Sequence, residues 1–252
     1  MKTEVEVERL IVVSDLHLGN PFSEAGRTLA GFIDEVRERE FDLVINGDGL
    51  EILQADIGTL ARASGEVFLA LRRLSAAGQQ IYYVIGNHDI ALEYLLGSWL
   101  SGFIVPFLNV RSGEVRIRIE HGHLYDPFFH SFPRLYEWVT RLAGPLLQVR
   151  PGLYTLWTRY KQTKAWLAGL LPWQTRTEHY TPFHEGAASL LLRGFDVVIF
   201  GHTHRPELRP LDEGTYVNAG NWVRGGTYVE IDGGQVSLHR LERRGRLRQR
   251  RT

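Results

Sequence analysis

The sequence predicts an α/β protein in which short buried strands alternate with amphipathic helices. Apolar runs of four or five residues recur along the 252-residue chain, and apolar residues recur at helical spacing between them. One stretch, residues 125–180, breaks this alternation with clustered tryptophans and prolines. A chain of this length can form one α/β domain with an added segment, or two small domains.

Individual elements follow from these patterns. The segment 28–39 has apolar residues at helical spacing, and 115–119 alternates valine and isoleucine with arginine, as in a strand exposed on one face. The predicted strands are 5–13, 41–45, 81–85, 115–119 and 197–200, and the predicted helices are 28–39 and 67–74. Residues 215–238 are predicted to form closing antiparallel strands.

Residues 125–180 are predicted to form an inserted helical cap. They hold four of the six tryptophans and show helical spacing over 135–142 and 153–160. The core is then residues 1–124 and 181–240, and 241–252 form a basic tail. The cap is either a hydrophobic mini-core or a groove for acyl chains. Lys161 and Lys164 suit a diphosphate or lipid head group, or else they snorkel at an interface.

Composition excludes several classes of protein. The chain has no cysteine, so any metal must bind oxygen and imidazole ligands. Basic and acidic residues number 29 each, which does not favour a nucleic-acid partner. The sequence shows neither a secretory pattern nor a spanning apolar run of about 18 residues, so a cytoplasmic protein is predicted. The arginine-rich tail is either solvated or a weak peripheral contact with an anionic membrane.

Five polar clusters each follow directly on a predicted strand. Residues just past the carboxyl ends of strands converge on one edge of an open α/β sheet, where ligands bind. The clusters are Asp15-Leu16-His17, Gly47-Asp48, Gly86-Asn87-His88-Asp89, His121-Gly122-His123 and Gly201-His202-Thr203-His204. Each of the shorter motifs occurs by chance in loops, and His-Gly-His also suits a solvated turn. The presence of all five motifs in this order, each after a predicted strand, favours a functional site.

Seven side chains in these clusters offer carboxylate, imidazole or amide ligands, too many for one small transition metal. They suit two divalent cations about 3.5–4 Å apart that share a carboxylate. Asp48 is the best bridge, because its loop falls between the other ligands. The predicted ligands are Asp15, His17, Asp48 and His204 for one metal, and Asp48, Asn87, His121 and His202 for the other. Mixed oxygen and nitrogen ligands favour Mn²⁺ or Fe²⁺ over Zn²⁺ or Mg²⁺.

The ordered motifs resemble those of the calcineurin-like metallophosphoesterase superfamily, over residues 9–229. The resemblance implies two packed mixed β-sheets flanked by helices, an αββα sandwich, with two metals at the carboxyl edge. Within the superfamily the spacing is similar to that of the UDP-2,3-diacylglucosamine diphosphatases of lipid A synthesis, which also insert a helical cap. This chain departs from them at Gly49, where they carry a bulky apolar residue, at His88, where they carry arginine, and at His123, where they carry aspartate.

The catalytic residue predicted by the motifs is His88, as a general acid for the leaving group. A purely structural histidine beside the metals is the alternative. Asp89 or Asp15 is expected to orient it. His123 is expected to support a ligand or to contact substrate, with a plain surface role as the alternative.

The predicted function is hydrolysis of a phosphate ester or anhydride by a dinuclear metal site. The best candidate bond is the diphosphate of UDP-2,3-diacylglucosamine or a related lipid-linked nucleotide, so the expected partner is a phosphorylated small molecule or lipid-linked nucleotide. A general phosphodiesterase or phosphatase is the alternative enzyme. A non-catalytic scaffold is the alternative of another class, but a scaffold is expected to lose ligands that this chain keeps.

Overall fold

The computed structural model describes residues 4–95, 97–99, 102–127, 131, 181–223 and 225–241. Most of the predicted cap, with Lys161 and Lys164, and tail residues 242–252 lie outside these ranges. No helix within them has the length and apolar character needed to cross a membrane.

The described ranges contain thirteen strands and three α-helices. The strands are β1 (Val5–Glu6), β2 (Arg9–Val13), β3 (Asp42–Asn46), β4 (Ile81–Val84), β5 (Gly97–Trp99), β6 (Gly102–Val105), β7 (Leu108–Ser112), β8 (Val115–Ile119), β9 (Val197–Phe200), β10 (Glu207–Leu211), β11 (Gly214–Asn218), β12 (Thr227–Asp232) and β13 (Gln235–Arg240). The α-helices are α1 (Ala25–Glu38), α2 (Ile57–Ala76) and α3 (Pro182–Leu191), and the 3-10 helices are Ile90–Leu95 and His123–Tyr125.

The strands form two mixed sheets. One has the order β13-β12-β2-β3-β4-β6-β5, and the other has the order β1-β7-β8-β9-β11-β10. Strands β2, β3 and β4 run parallel in the first sheet, and β8 and β9 run parallel in the second. This architecture confirms the predicted fold of two packed mixed sheets flanked by helices.

Three apolar clusters hold the four layers together. In β2, Ile11 and Val13 pack toward α1 and α2, whereas Leu10 and Val12 face the other sheet. Strand β9 likewise turns alternate residues to the sheet interface and to α3. Both faces of these strands are covered, which explains why they read in the sequence as continuous apolar runs. Helices α1 and α2 therefore flank one sheet and α3 flanks the other.

The predicted single strand over residues 5–13 is wrong. The chain forms β1 in the six-stranded sheet and then crosses to the seven-stranded sheet to form β2. At the crossing, the buried Val7 lies in the apolar cluster between the sheets, and its N–H donates to the carbonyl of Arg111. Valine and glutamate alternate over residues 4–8 and lead directly into the apolar run of β2, and no glycine or proline separates the two strands.

Two other element predictions need correction. Within residues 215–238, β12 and β13 are antiparallel as predicted, whereas β11 pairs antiparallel with β10 on one side and parallel with β9 on the other. Helix α2 begins at Ile57, well before the predicted residue 67. Asp56 caps it by accepting a hydrogen bond from the N–H of Thr59 at 3.0 Å. Alanine, serine and glycine in its first half hide the helical period.

Candidate metal centre

The five polar clusters lie directly after β2, β3, β4, β8 and β9. Within each sheet these strands run parallel to one another, so their carboxyl ends lie at the same edge of that sheet. The connection from β11 to β12 lies at the same edge, where the N–H of Trp222 donates to the carbonyl of Asp15 at 3.1 Å. The loops after the strands therefore converge from both layers onto one place.

Six of the seven predicted ligands lie in overlapping groups. In each group the candidate ligand atoms all lie within 4.8 Å of one another. The groups are Asp15, His17 and His204; His17, Asp48 and His88; and Asp48, His121 and His202. The seventh, Asn87, is 2% exposed and immediately precedes His88. The structure thus brings six of the predicted ligands together, with His17 and Asp48 shared between groups.

The backbone at these residues is unusual. Six non-glycine residues in the described chain have positive φ, and five of them are predicted ligands. Left-handed backbone costs non-glycine residues of order 1–3 kcal/mol each, although aspartate and histidine tolerate it better than most. The five are Asp15 (55°), His17 (46°), Asp48 (52°), His202 (63°) and His204 (58°). The fold stabilises strained turns here to aim these side chains.

Asp15 is fully buried and its two oxygens differ in surroundings. Oδ2 lies 2.6 Å from the hydroxyl of Ser14 and accepts from the backbone N–H of His202 at 3.0 Å. Oδ1 lies 3.1 Å from Nε2 of His204 and 3.9 Å from Nε2 of His17. One oxygen is therefore fixed by protein donors, and the other faces the imidazoles.

The two carboxylate oxygens of Asp48 also have different surroundings. Oδ1 accepts from the backbone N–H of His88 at 2.8 Å. Oδ2 lies 3.3 Å from Nε2 of His121 on one side and 3.9 Å from Nε2 of His17 on the other. The second oxygen thus stands between histidines of the two predicted ligand sets.

Glu51 contacts two histidines of the site. It is 1% exposed, and Oε2 lies 2.8 Å from Nδ1 of His17 while Oε1 lies 2.5 Å from Nδ1 of His88. The carboxylate holds Nδ1 of His17 as an N–H donor, which turns Nε2 toward Asp15 and Asp48. The expectation that Asp89 or Asp15 orients His88 is therefore wrong, because Glu51 does so.

Asp89 instead joins two of the loops. Its Oδ1 accepts from the N–H of Gly86 at 2.7 Å, and its Oδ2 accepts from the N–H of Gly49 at 2.8 Å and from the hydroxyl of Tyr83. These bonds tie the loop after β3 to the loop after β4. The positions of Asp48 and Asn87 relative to each other depend on this carboxylate.

Two further histidines of the site, His121 and His202, also contact acceptor groups of the protein. His121 places Nδ1 2.9 Å from the carbonyl of Asn46, and His202 places Nε2 2.9 Å from Oδ2 of Asp126. The ring of His123 packs 5.6 Å from that of His121, centroid to centroid, and burial followed by His121 lowers its pKa to about 3. His123 is therefore a neutral side chain packed on a ligand candidate rather than a freely exposed one.

Glycine is required at two turns of the site. A Cβ at Gly47, whose φ is 74°, would come within 2.4 Å of the His121 ring. A Cβ at Gly86 would lie 2.2 Å from Oδ1 of Asp48 and 2.4 Å from its backbone nitrogen. Any side chain at either position would push a ligand candidate out of place.

The electrostatics of the cluster suit cations. Burial opposes ionisation of Asp15, yet His204 and His121 bring its pKa down to about 2. Burial likewise opposes the charged form of His121, but the Asp48 and Asp15 carboxylates raise its pKa to about 10. Positive charge near the buried carboxylates therefore stabilises their ionised form. Protonated imidazoles provide that charge in the absence of a metal cation.

The donor set fits divalent metal ions. Asp15 Oδ1 and His121 Nε2 are buried, and their polar contacts in the described chain are with other ligand candidates, His204 at 3.1 Å and Asp48 at 3.3 Å. Carboxylate oxygens and imidazole nitrogens are ligands for first-row divalent metals. Metal bonds would satisfy both atoms, whereas an apolar or anionic occupant would not.

Three groups that contact histidines of the site are not predicted by the sequence motifs. Glu51 falls three residues after Asp48, and that Gly-Asp-x-x-Glu spacing is the one signal that could have pointed to it. Asp126 lies just beyond His123 without any motif around it. The Asn46 carbonyl is a backbone group, which a sequence pattern does not reveal.

The chain belongs to the calcineurin-like phosphoesterase family, whose sequence profile matches residues 8–206. Proteins of this family use a pair of divalent metals, and the His and Asp clusters described above are where this chain can hold them. The chain is accordingly a metal-dependent hydrolase of phosphate esters or anhydrides.

Similar curated proteins include several that are named UDP-2,3-diacylglucosamine hydrolase. The UDP-2,3-diacylglucosamine hydrolase of Pseudomonas aeruginosa UCBPP-PA14 is 29% identical over 88% of this chain and 95% of its own length. That of Stenotrophomonas maltophilia K279a is 26% identical over 92% of this chain and 98% of its own length. Among solved structures, an archaeal phosphodiesterase is 14% identical with a TM-score of 0.48, over 92% of this chain and 99% of that one.

Proposed function

We propose that two divalent cations bind side by side at this centre with Asp48 bridging them. Asp15, His17, Asp48 and His204 would hold one cation, and Asp48, Asn87, His121 and His202 the other. The observation that carries the proposal is the position of Asp48 Oδ2 between His17 and His121. Mixed carboxylate, amide and imidazole donors favour Mn²⁺, with Fe²⁺, Zn²⁺ and Mg²⁺ as the alternatives.

His88 is the proposed proton donor to the leaving oxygen. Bound cations supply Lewis acidity, an acidified water and compensation of phosphoryl charge. Burial opposes protonation of His88, but Asp48 and Glu51 raise its pKa to about 9 in the protein without metal ions. Its Nδ1 is held by Glu51, which leaves Nε2 as the nitrogen that can donate.

Glu51 is the proposed positioning residue for both functions. It fixes the ring of His17 for metal binding and the ring of His88 for proton transfer through one carboxylate. The two rings meet edge to face with centroids 4.8 Å apart. Metal binding and proton donation are therefore geometrically linked.

The proposed substrate is UDP-2,3-diacylglucosamine or a related lipid-linked nucleotide. Support comes from relatives of that name that align over nearly the whole length of both chains. The predicted cap, residues 125–180, is proposed to bind the lipid part, with Lys161 and Lys164 near its head group. Leu124, 61% exposed where this segment begins, offers apolar surface for such a cap. A peripheral membrane contact through the arginine-rich tail belongs to the same proposal.

A second candidate function is hydrolysis of simpler phosphodiesters. It is favoured by His88 itself, which stands where the resemblance to the lipid-nucleotide enzymes implies an arginine. An imidazole that can donate a proton assists any poor leaving group, whereas an arginine binds a specific phosphate. The two candidates share the metal centre and differ in what lies around it.

An activity panel separates the two candidates. The metal-reconstituted protein is assayed on UDP-2,3-diacylglucosamine, bis-p-nitrophenyl phosphate and a cyclic nucleotide, with Mn²⁺, Zn²⁺ and Mg²⁺ compared. We expect Mn²⁺ to give the highest rate and the lipid nucleotide the highest kcat/KM. Equal kcat/KM on all three would contradict the lipid-nucleotide assignment, and no hydrolysis with any metal would contradict the metal centre.

A further inference from the structure

A pocket of about 340 Å³ begins at Leu18, the residue after His17, and is lined by none of the predicted metal ligands. Its walls are the loop that follows His17, the first turn of α1 and the first half of α2. The loop side is tied to the centre, because the N–H of Leu18 donates to the carbonyl of Gly49 and the N–H of Asn20 donates to that of His17 at 3.0 Å. The pocket is therefore built on the same loop that aims a ligand candidate.

The lining of this pocket, which we call the arginine pocket, is cationic. Arg27 from α1 and Arg62 from α2 both line it, and no carboxylate does. Arg27 makes no ion pair with any described residue, and Arg62 donates to the hydroxyl of Thr59 at 3.1 Å. Asp56, hydrogen-bonded to Thr59, lies near Arg62 but is fully exposed and outside the lining. The pocket thus offers net positive charge to an anion.

The other lining groups suit a nucleoside. Leu18 and Pro21 give apolar surface, and Asn20 accepts from the N–H of Phe22 through Oδ1, which leaves its amide N–H groups to donate. Helix α1 begins at Ala25 with Glu24 as its N-cap, so the positive charge at this place comes from the arginines rather than from the helix dipole. A volume near 340 Å³ is at the lower end for small-molecule sites and is small for a diacylated lipid.

We propose that the arginine pocket binds a nucleoside monophosphate group, with Arg27 and Arg62 on its phosphate. This deepens the proposed function, since that function supplies a nucleotide-linked substrate. The same chemistry also fits a free nucleotide that binds independently of the substrate. In either case specificity for the nucleotide resides in the core of the protein rather than in residues 128–180.

Binding is tested without the metals. Uridine monophosphate is titrated by calorimetry into protein stripped with EDTA, so that the metal centre does not contribute, and uridine serves as the probe without phosphate. We expect saturable binding of the monophosphate and about tenfold weaker binding for each of Arg27→Gln and Arg62→Gln, because each loses a charge-assisted hydrogen bond. Arg72→Gln, exposed on the same helix α2 and outside the pocket, is the matched control and should bind as the parent does.

Two results would overturn the proposal. One is no binding of uridine monophosphate to the stripped parent protein. The other is equal binding by the parent and the Arg27→Gln/Arg62→Gln double variant, with circular dichroism showing that both are folded.

Kinetics distinguish the two sources of the nucleotide. For the double variant we expect kcat/KM on UDP-2,3-diacylglucosamine to fall at least tenfold relative to kcat/KM on bis-p-nitrophenyl phosphate, mainly through KM. An unchanged ratio despite lost nucleotide binding overturns the substrate assignment and assigns the pocket to a free nucleotide. If the parent does not hydrolyse the lipid nucleotide but the stripped protein binds uridine monophosphate, the proposed substrate fails and the arginine pocket stands.

Discussion

At the scale of single residues, the centre depends on side chains in which one polar atom contacts the surrounding protein and the other faces the cluster. Asp15 and Asp48 each give one oxygen to backbone or hydroxyl donors and direct the other inward. His17 and His121 each give Nδ1 to a protein acceptor and direct Nε2 inward. Groups fixed on one side lose less freedom when they bind a cation, which favours binding.

Glu51 offers the sharpest test at this scale. Glu51→Gln removes the charge that holds Nδ1 of His17 and of His88, so we expect metal affinity to fall about 10–100-fold and turnover to fall with it. Equilibrium dialysis with metal analysis measures the first effect. Glu114→Gln, in the exposed turn between β7 and β8, is the control. Unchanged affinity and turnover in Glu51→Gln would show that Glu51 positions neither ring.

His88→Asn separates proton donation from metal binding. We expect turnover to drop roughly 10²–10⁴-fold while metal content stays at two per chain, because an amide cannot donate a proton as an imidazolium does. The control is His239→Asn, exposed on β13. Loss of metal from His88→Asn would instead make His88 a ligand, a role that its place near His17 and Asp48 also permits.

At the scale of elements, the strands bring the ligand-bearing loops to one place, and the turns after the strands orient the ligand side chains. Parallel strands deliver their carboxyl ends to one edge, and left-handed turns then bend each ligand candidate into the cluster. These turns pack tightly against one another, as the contact between Gly86 and Asp48 shows. A small change in the conformation of one loop is therefore expected to displace ligand candidates in the neighbouring loop.

Two glycine substitutions test that packing. In Gly86→Ala the new methyl would strike Asp48, so we expect loss of metal and activity and a stability loss of about 1–3 kcal/mol. In Gly65→Ala, exposed within α2 with open space around it, we expect a gain of roughly 0.5–1 kcal/mol and full activity. Denaturant melts and metal analysis report both. A Gly86→Ala protein with parental activity would contradict the close approach.

The elements also show what a sequence can and cannot predict. Strand β9 was predicted correctly to the residue, because both of its faces are buried and its pattern is unbroken. The break between β1 and β2 was missed, because no glycine, proline or polar turn residue separates the alternating residues 4–8 from the apolar run of β2. Glu51 was missed as well, because its function depends on a contact with His88, 37 residues away.

At the scale of the whole molecule, the four layers bring loops from two sheets to one edge. The sheets bury a shared core between them, so neither can shift without moving half of the centre. The centre also concentrates buried carboxylates and imidazoles, which destabilises the fold unless cations balance them. Metal binding and overall stability should therefore be coupled.

Thermal melts measure this coupling. Mn²⁺ at about 100 times its Kd should add about 2.7 kcal/mol to the free energy of unfolding. For a chain of this size that raises Tm by roughly 5–10 °C over the EDTA-treated protein. Asp48→Ala should show little of this shift. A parent protein with the same Tm in Mn²⁺ and in EDTA would argue against binding at a folded site.

The bridging carboxylate is tested most directly by anomalous diffraction from crystals grown with Mn²⁺. Two peaks about 3.5–4 Å apart are expected, with an oxygen of Asp48 bound to both, His17 on one ion and His121 on the other. A single peak, or two peaks of which Asp48 touches only one, would contradict the shared centre.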